Sequence, residues 1–179
     1  MLSFELSLLD FLQEHLRNAF LDAVVPVFTK LGDYGILWIL LAVGLLAFPK
    51  TRRIGLAVSC ALLLEVLCCN LLLKPLVARP RPYTYRELQL LVSAPRDFSF
   101  PSGHTAASFA VSSALFFRRN RLWIPAFALS VLLGFTRLYL YVHFPSDVLC
   151  GALLGVLAGY LGCLLAARLE KLYAHRRRP

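Results

Sequence analysis

The stretch IGLAVSCALLLEVLCCNLLLK, residues 54–74, decides the class of this protein. A run of about 20 mostly apolar residues is the length at which a helix crosses the hydrocarbon core of a bilayer. The run ends on a cation, Lys74. The rest of the chain agrees with it, because 59% of its 179 residues are hydrophobic and the mean hydropathy is +0.68. Such a composition predicts an integral membrane protein.

Further apolar segments on both sides of this stretch predict an all-α protein in one membrane-embedded domain, residues 1–179, with about six transmembrane helices. The first span carries three charged residues, so residues 1–31 are expected to begin as an interfacial helix. The N-terminal sequence does not have the pattern of a removable signal peptide. The predicted spans are residues 12–31, 34–48, 54–74, 104–117, 122–141 and 147–169.

Basic residues predict how these spans cross the membrane. Clusters of Lys and Arg lie at residues 50–53, at residues 118–121 and in a tail at residues 170–179. A six-span arrangement places all three on one side, which the positive-inside rule makes cytoplasmic. Both termini are then expected in the cytoplasm of a multi-pass plasma-membrane protein. The loop at residues 75–103 and the turn around His143 are expected on the extracytoplasmic face.

Charge and cysteine content exclude other classes of function. The net charge of +9 is spread between apolar runs and forms no continuous basic face, which argues against a nucleic-acid partner. The five cysteines lie inside predicted spans without the spacing of metal ligands, so they are interpreted as small buried apolar side chains. Neither a disulfide nor a metal site is predicted.

One candidate motif is the sequence Pro-Ser-Gly-His at residues 101–104, directly before an apolar helix. A helix start offers free backbone N–H groups and a positive dipole end, which suit a phosphoryl oxygen. Gly103 would allow close approach, the Ser102 hydroxyl would add a donor, and His104 could protonate a leaving oxygen. The alternative is a serine-capped helix that begins with an incidental histidine.

A second candidate is the pair His143 and Asp147, separated by a proline that favours a helix start. At this spacing the carboxylate can reach back to Nδ1 of the imidazole, which would leave Nε2 free to attack phosphorus. The alternative is that Asp147 only favours a helix N-terminus while His143 lies at the headgroup level.

Three cations accompany these histidines. Arg81 and Arg137 can each hold two phosphoryl oxygens with a planar guanidinium, and Lys74 adds a point charge. Together they could stabilise the charge of a phosphoryl-transfer transition state. The alternatives are snorkelling of Arg137 and lipid-headgroup anchoring by the other two cations. Arg79, two residues before Arg81, is ambiguous.

The three motifs, in this order and spacing, resemble the type 2 phosphatidic acid phosphatase superfamily of membrane lipid phosphatases. The family pattern is Lys, six residues, Arg-Pro; then Pro-Ser-Gly-His; then Ser-Arg, five residues, His, three residues, Asp. The chain departs from it only at Thr136, where the family usually has serine and where threonine keeps the hydroxyl.

The resemblance implies a four-helix core made by the last four spans and a phosphatase without metal or cofactor. His143 would attack the phosphoryl group to give a phosphohistidine, Asp147 would orient His143, and His104 would act first as an acid and then as a base. The implied phosphate ligands are Lys74, Arg81, Ser102, Gly103 and Arg137.

The expected partner is a membrane lipid phosphate in the bilayer. Undecaprenyl pyrophosphate is the preferred substrate because the chain is small and resembles compact bacterial members of the family. Phosphatidylglycerol phosphate, phosphatidic acid and lipid A phosphates stay open, since no residue of the sequence reads a headgroup. A lipid-phosphate binder or transporter without catalysis is the alternative from another class, although binding alone would need only the cations.

Overall fold

The computed structural model describes residues 2–176, and within them all regular structure is helical, which confirms the all-α fold. A 3₁₀ segment, Lys30–Gly35, follows the second helix, and a π-helical segment, Val66–Leu73, follows the fourth. Two arginines of the predicted basic tail, Arg177 and Arg178, lie outside the described residues. The α-helices are α1 (Leu2–Leu16), α2 (Ala19–Thr29), α3 (Ile36–Ala47), α4 (Arg52–Glu65), α5 (Lys74–Val77), α6 (Gly103–Phe117), α7 (Trp123–Tyr139) and α8 (Pro145–Arg176).

Three helical segments of the described chain are long and apolar enough to cross a membrane: Ala19–Ala47, Arg52–Tyr85 and Pro145–His175. Helices α6 and α7 are shorter. The first of the long segments joins α2 and α3, which were predicted as two separate spans. Helix α2 has 11 residues and is therefore about 16 Å long, too short for a hydrocarbon core of about 30 Å. The predicted count of six spans is not confirmed, since α2, the 3₁₀ segment and α3 form one kinked helical segment, Ala19–Ala47, here named the first traverse.

The first two helices gather at the end of the bundle where α7 ends and α8 begins. In α1, Glu5 accepts a hydrogen bond from the backbone N–H of Ser146, at 3.0 Å. In α2, Asp22 accepts from the hydroxyl of Tyr139, at 2.7 Å. Residues 139–146 therefore form the surface that α1 and the start of α2 contact.

At the opposite end of the bundle, the basic ends of α4, α6 and α8 lie close together. Glu170, close to the end of α8, accepts a hydrogen bond from Arg118 at 3.0 Å and pairs with Arg53 at 3.8 Å. Helix α1 and the end of α8 thus lie at opposite ends of the bundle. The prediction that both termini lie on one side of the membrane is not confirmed by this arrangement.

Helix α6 lies at the centre of the bundle and packs against α4, α7 and α8, while α3 packs on α4. Small residues allow its close contact with α8. A Cβ atom added at Gly155 would lie 2.4 Å from the carbonyl oxygen of Ala106. Small residues are what allow helix backbones to approach closely inside a membrane. This tight pair holds the start of α6 against the start of α8, where the candidate motifs lie.

Candidate active site

A cavity of about 1140 Å³ opens between the first traverse, α4 and α6. One end is cationic, lined by Lys74, Arg81 and Arg137 together with both candidate histidines. The other end is lined by apolar residues of α3 and α4, among them Ile39 and Leu62. A cavity with one cationic and one apolar end fits an amphipathic anion. The residues of the two histidine motifs and of the lysine–arginine motif therefore meet at one place, as the sequence predicts.

His143 lies in the turn between α7 and α8, and only 2% of it is exposed. Its Nε2 is 3.2 Å from a guanidinium nitrogen of Arg81. Because a guanidinium can only donate hydrogen bonds, Nε2 must accept here, and the ring proton belongs on Nδ1. Nδ1 faces Asp147, whose Oδ2 is 3.6 Å away. This tautomer puts the ring lone pair on Nε2, where it accepts the hydrogen bond from Arg81.

The surroundings of His143 keep the imidazole neutral. Loss of water on burial, together with the positive charges of Arg81 and Arg137, outweighs the opposing effect of Asp147 and lowers the pKa of His143 to about 3. At neutral pH the ring is therefore uncharged, as a nitrogen nucleophile must be.

Asp147 is fully buried, and three groups donate hydrogen bonds to its carboxylate. Its Oδ2 accepts from the hydroxyl of Ser99 at 2.5 Å and from the backbone N–H of Phe144 at 2.9 Å. Its Oδ1 accepts from Arg79 at 2.5 Å, and Nδ1 of His143 approaches Oδ2. The carboxylate is thus fixed before any ligand arrives.

The ambiguous cation of the first motif, Arg79, turns away from the cavity. Besides Asp147 it donates to Glu5 at 2.6 Å and to the Ser146 hydroxyl at 2.7 Å. Its guanidinium also lies 3.9 Å from the ring centre of Phe144. Arg79 supports the Asp147 carboxylate instead of lining the phosphate-sized end of the cavity, and it ties α1 to the site.

Asp97, on the loop before α6, pairs with two of the predicted phosphate ligands. Its carboxylate contacts the Lys74 ammonium and accepts from Arg81 at 2.7 Å. Burial raises its pKa, but hydrogen bonds and charges from these two cations outweigh burial and lower the pKa of Asp97 to about 2. The side chain is about half exposed. An anion already occupies part of the cationic end of the cavity.

The start of α6 places Gly103 and His104 on the cavity, as predicted. A Cβ atom at Gly103 would lie 3.0 Å from Oδ1 of Asn70, so a larger residue would crowd this wall. Ser102 lies differently. It is fully buried, and its hydroxyl shares a hydrogen bond of 2.9 Å with Thr105. The Ser102 hydroxyl makes no capping hydrogen bond to the α6 backbone, and Ser102 is not among the residues that line the cavity. Its role as a phosphate donor stays a prediction.

Two residues of the first traverse join the site although no motif contains them. Thr29 accepts a hydrogen bond from Arg137 at 2.8 Å, and it also lies 3.1 Å from the hydroxyl of Thr136. Asp33 accepts from Nε2 of His104 at 2.9 Å. The only sequence signal was the pair Gly32 and Gly35 around Asp33, a turn-like interruption of an apolar run.

Comparison with known proteins agrees with this geometry. The model of the PAP2 superfamily matches residues 54–171. The undecaprenyl-diphosphatase BcrC of Bacillus subtilis is 29% identical, with 81% of this chain and 75% of that protein covered. The crystal structure of Aquifex aeolicus LpxE superposes with a TM-score of 0.76 at 31% identity, covering 88% of this chain and 93% of that one.

A second solved structure extends the likeness over nearly the whole chain. It is a transmembrane PAP2 type phosphatidylglycerolphosphate phosphatase from Bacillus subtilis, with a TM-score of 0.73 and 27% identity. The alignment covers 98% of this chain and 87% of that one. Both neighbours are at least a quarter identical, so the likeness covers sequence as well as fold.

Proposed function

The chain belongs to the PAP2 superfamily, and from this membership we propose that it converts undecaprenyl pyrophosphate to undecaprenyl phosphate through a phosphohistidine on His143. It is a lipid phosphatase of the membrane. One observation carries the proposed mechanism. Arg81 binds Nε2 of His143, which fixes the ring proton on Nδ1 beside Asp147 and keeps the attacking lone pair at the cationic end of the cavity.

In the first proposed step, the Arg81 N–H that contacts Nε2 turns to a phosphoryl oxygen, and the released Nε2 lone pair forms a bond to the terminal phosphorus. The bond from phosphorus to the leaving oxygen breaks, its electron pair stays on that oxygen, and His104 supplies a proton there. Lys74, Arg81 and Arg137 hold the phosphoryl oxygens and stabilise their charge. Asp147 balances the positive charge that develops on the His143 ring.

In the second step, His104 takes a proton from water while the water oxygen bonds to phosphorus. The bond between phosphorus and Nε2 breaks, its electrons return to His143, and inorganic phosphate leaves. Backbone N–H groups at Gly103 are a further set of donors to the phosphoryl oxygens, because they belong to the first turn of α6.

The choice of a polyprenyl pyrophosphate rests on the relatives and on the cavity. A relative covering most of the chain is named an undecaprenyl-diphosphatase. Most residues of α3 and α4 that line the cavity are apolar, although Ser59 and Glu65 of α4 also line it. Phosphatidylglycerol phosphate is the second candidate, because the neighbour aligned over 98% of this chain is a phosphatidylglycerolphosphate phosphatase. Phosphatidic acid is the third substrate to compare.

The test is phosphate release from purified protein in detergent with a chelator present. Undecaprenyl pyrophosphate, phosphatidylglycerol phosphate and phosphatidic acid are compared, with His143→Ala as the control. A strong preference for the pyrophosphate supports the proposal. Equal rates on all three indicate a broad lipid phosphatase. No release by folded protein from any of them would leave lipid-phosphate binding or transport as the function.

We further propose that the chain forms one domain whose site faces the extracytoplasmic side. The basic ends of α4, α6 and α8 meet at the end of the bundle away from the cavity, and positive residues favour the cytoplasm. Helix α1 then lies on the outer surface. A membrane-impermeant thiol reagent should label Ser3→Cys in intact cells and spare Lys171→Cys, in a background without the native cysteines.

A further inference from the structure

His104 has a partner outside the three motifs. Its Nε2 lies 2.9 Å from Oδ1 of Asp33, a residue of the 3₁₀ segment between α2 and α3. Both residues line the cavity. The contact joins positions 71 residues apart, so neither helix geometry nor chain connectivity requires it.

The backbone around Asp33 is shaped to make this contact. Asp33 has extended angles, φ −62° and ψ 129°, inside a helical segment. The next two residues, Tyr34 and Gly35, are left-handed, with φ of 54° and 66°. A non-glycine residue in that region is uncommon and costs free energy, so the surrounding structure must hold it. The break turns the Asp33 carboxylate out of the helix direction and into the cavity.

Gly32 fits against the imidazole itself. A Cβ atom added there would lie 2.5 Å from Cδ2 of His104 and 3.4 Å from Nε2. Only glycine leaves room for the ring in this position. The segment therefore contacts the Cδ2–Nε2 edge of the ring, and Nδ1 lies on the opposite edge.

We propose that Asp33 is the positioning residue of His104, as Asp147 is of His143. The proposal rests on the phosphatase function described above and deepens it. Asp33 accepts the hydrogen on Nε2, which fixes the tautomer of neutral His104. The second proton, which His104 takes up from water to become the acid, then goes to Nδ1. Nδ1 gives this proton to the leaving oxygen as the P–O bond breaks, and regains one from water in the second step.

Charge at the site explains why such a carboxylate is needed. His104 shares the cavity with Lys74, Arg137 and Arg81. A protonated imidazole beside three fixed cations is disfavoured, because like charges raise its energy. A carboxylate in direct contact offsets this repulsion when His104 holds its proton. Asp97 cannot serve, since it contacts Lys74 and Arg81.

The first test is a double-mutant cycle on kcat/KM with the lipid phosphate that the wild type hydrolyses. Asp33→Asn should lower kcat/KM about 10- to 100-fold in the wild type, a part of the 10²–10⁴-fold that general acids typically contribute. In a His104→Ala background it should change kcat/KM less than about 2-fold, because the residue it positions is gone. An equal loss in both backgrounds would overturn the proposal.

The matched control is Asp22→Asn, which removes a carboxylate of α2 that binds Arg17 and Tyr139 away from the cavity. It should leave kcat/KM within about 2-fold of the wild type, because substitutions away from the core and the site usually have small effects. A loss comparable to that of Asp33→Asn would mean that any damage to this traverse impairs the enzyme, which contradicts a specific role.

The second test reads the tautomer without turnover, by ¹⁵N NMR of histidine-labelled protein in detergent. The chain has four histidines, and His104→Gln identifies the signals of His104. Wild-type His104 should carry its hydrogen on Nε2, and Asp33→Asn should give a mixture of tautomers. An unchanged tautomer overturns the inference. Inactivity of the wild type on every lipid phosphate would instead refute the proposed function. The tautomer of His104 could still be measured by NMR in that case.

Discussion

Nε2 of His143 lies 3.2 Å from the guanidinium of Arg81, a group that can only donate a hydrogen bond. The same guanidinium is held by the backbone oxygens of Val142 and Asp97, at 2.7 and 2.8 Å. Arg81 is thus fixed by the chain on both sides of the site. It presents one donor to the histidine before any phosphate binds.

This relationship predicts the effect of Arg81→Lys. Lysine keeps the charge but lacks the planar group that contacts Val142, Asp97 and His143 together. We expect kcat/KM for the lipid substrate to fall about 100-fold, in line with the loss of a transition-state donor. The control is Arg86→Lys, at an exposed arginine that pairs with Asp10. It should change kcat/KM less than about 2-fold, because exposed ion pairs contribute little free energy.

Asp97 predicts an effect on phosphate affinity. Its carboxylate pairs with Lys74 and Arg81 and stays ionised above its pKa of about 2. A phosphate must compete with it for these cations. Asp97→Asn should lower the inhibition constant of inorganic phosphate or vanadate about 10-fold, which corresponds to about 1.4 kcal/mol. Glu87→Gln on the same loop is the control, and weaker anion binding by Asp97→Asn would contradict this account.

The buried His143 predicts how stability depends on pH. Unfolded, the ring takes up a proton near pH 6.5, whereas in the fold its pKa is about 3. Between these values the unfolded chain binds more protons, so stability falls as the pH is lowered from 6.5 towards 3. Thermal unfolding in detergent should show this fall, and His143→Gln should reduce it. His15→Gln, at an exposed histidine of α1, is the matched control variant.

Glu5 predicts that α1 contributes to activity. Burial raises its pKa, but hydrogen bonds from Ser146 and the charge of Arg79 lower it overall, so the group is ionised. Glu5→Gln weakens the hold on Arg79, which supports Asp147. We expect kcat to fall about 10-fold with little change in KM, since a transition-state contact is affected. Glu14→Gln, an exposed residue of the same helix, should be neutral.

The contact of α6 with α8 predicts a large stability effect at Gly155. A Cβ atom there would lie 2.4 Å from the Ala106 carbonyl oxygen and 2.7 Å from Phe109. Gly155→Val should therefore destabilise the fold by about 1–3 kcal/mol. Gly44 has no atom within 4 Å of an added Cβ, so Gly44→Ala should be neutral or slightly stabilising. Unfolding midpoints of the two variants in one detergent decide the matter.

Sequence reasoning located most of the site because its residues belong to helix ends. Lys74, Gly103 and Arg137 lie near the ends of helices that span or nearly span the bilayer, where apolar periodicity fixes the depth of a residue. His143 and Asp147 are four residues apart, so the local chain brings them near each other. The places of these residues at the candidate site could be predicted without knowledge of the tertiary structure.

The contributions of Thr29, Asp33 and Glu5 could not be predicted in this way. They lie far in sequence from the motifs. Hydropathy also shows α2 and α3 as two separate apolar runs, and it does not reveal that they form one kinked helical segment. The left-handed conformation of Tyr34 carries no residue-type signal, since glycine, asparagine and aspartate are the residues that normally indicate it. The contact of the Ser102 hydroxyl with Thr105 could not be predicted either, because a serine before a helix can contact the helix or an anion.

The guanidinium of Arg79 binds Glu5 of the first helix and Asp147 of the last one. Glu5 and Arg79 emerge early from the ribosome, but their cluster lacks its third member until α8 has been made and inserted. A chain midway through membrane insertion thus carries Glu5 and Arg79 without the carboxylate that lies beside His143. We expect hydrolysis only after α8 has packed into the bundle.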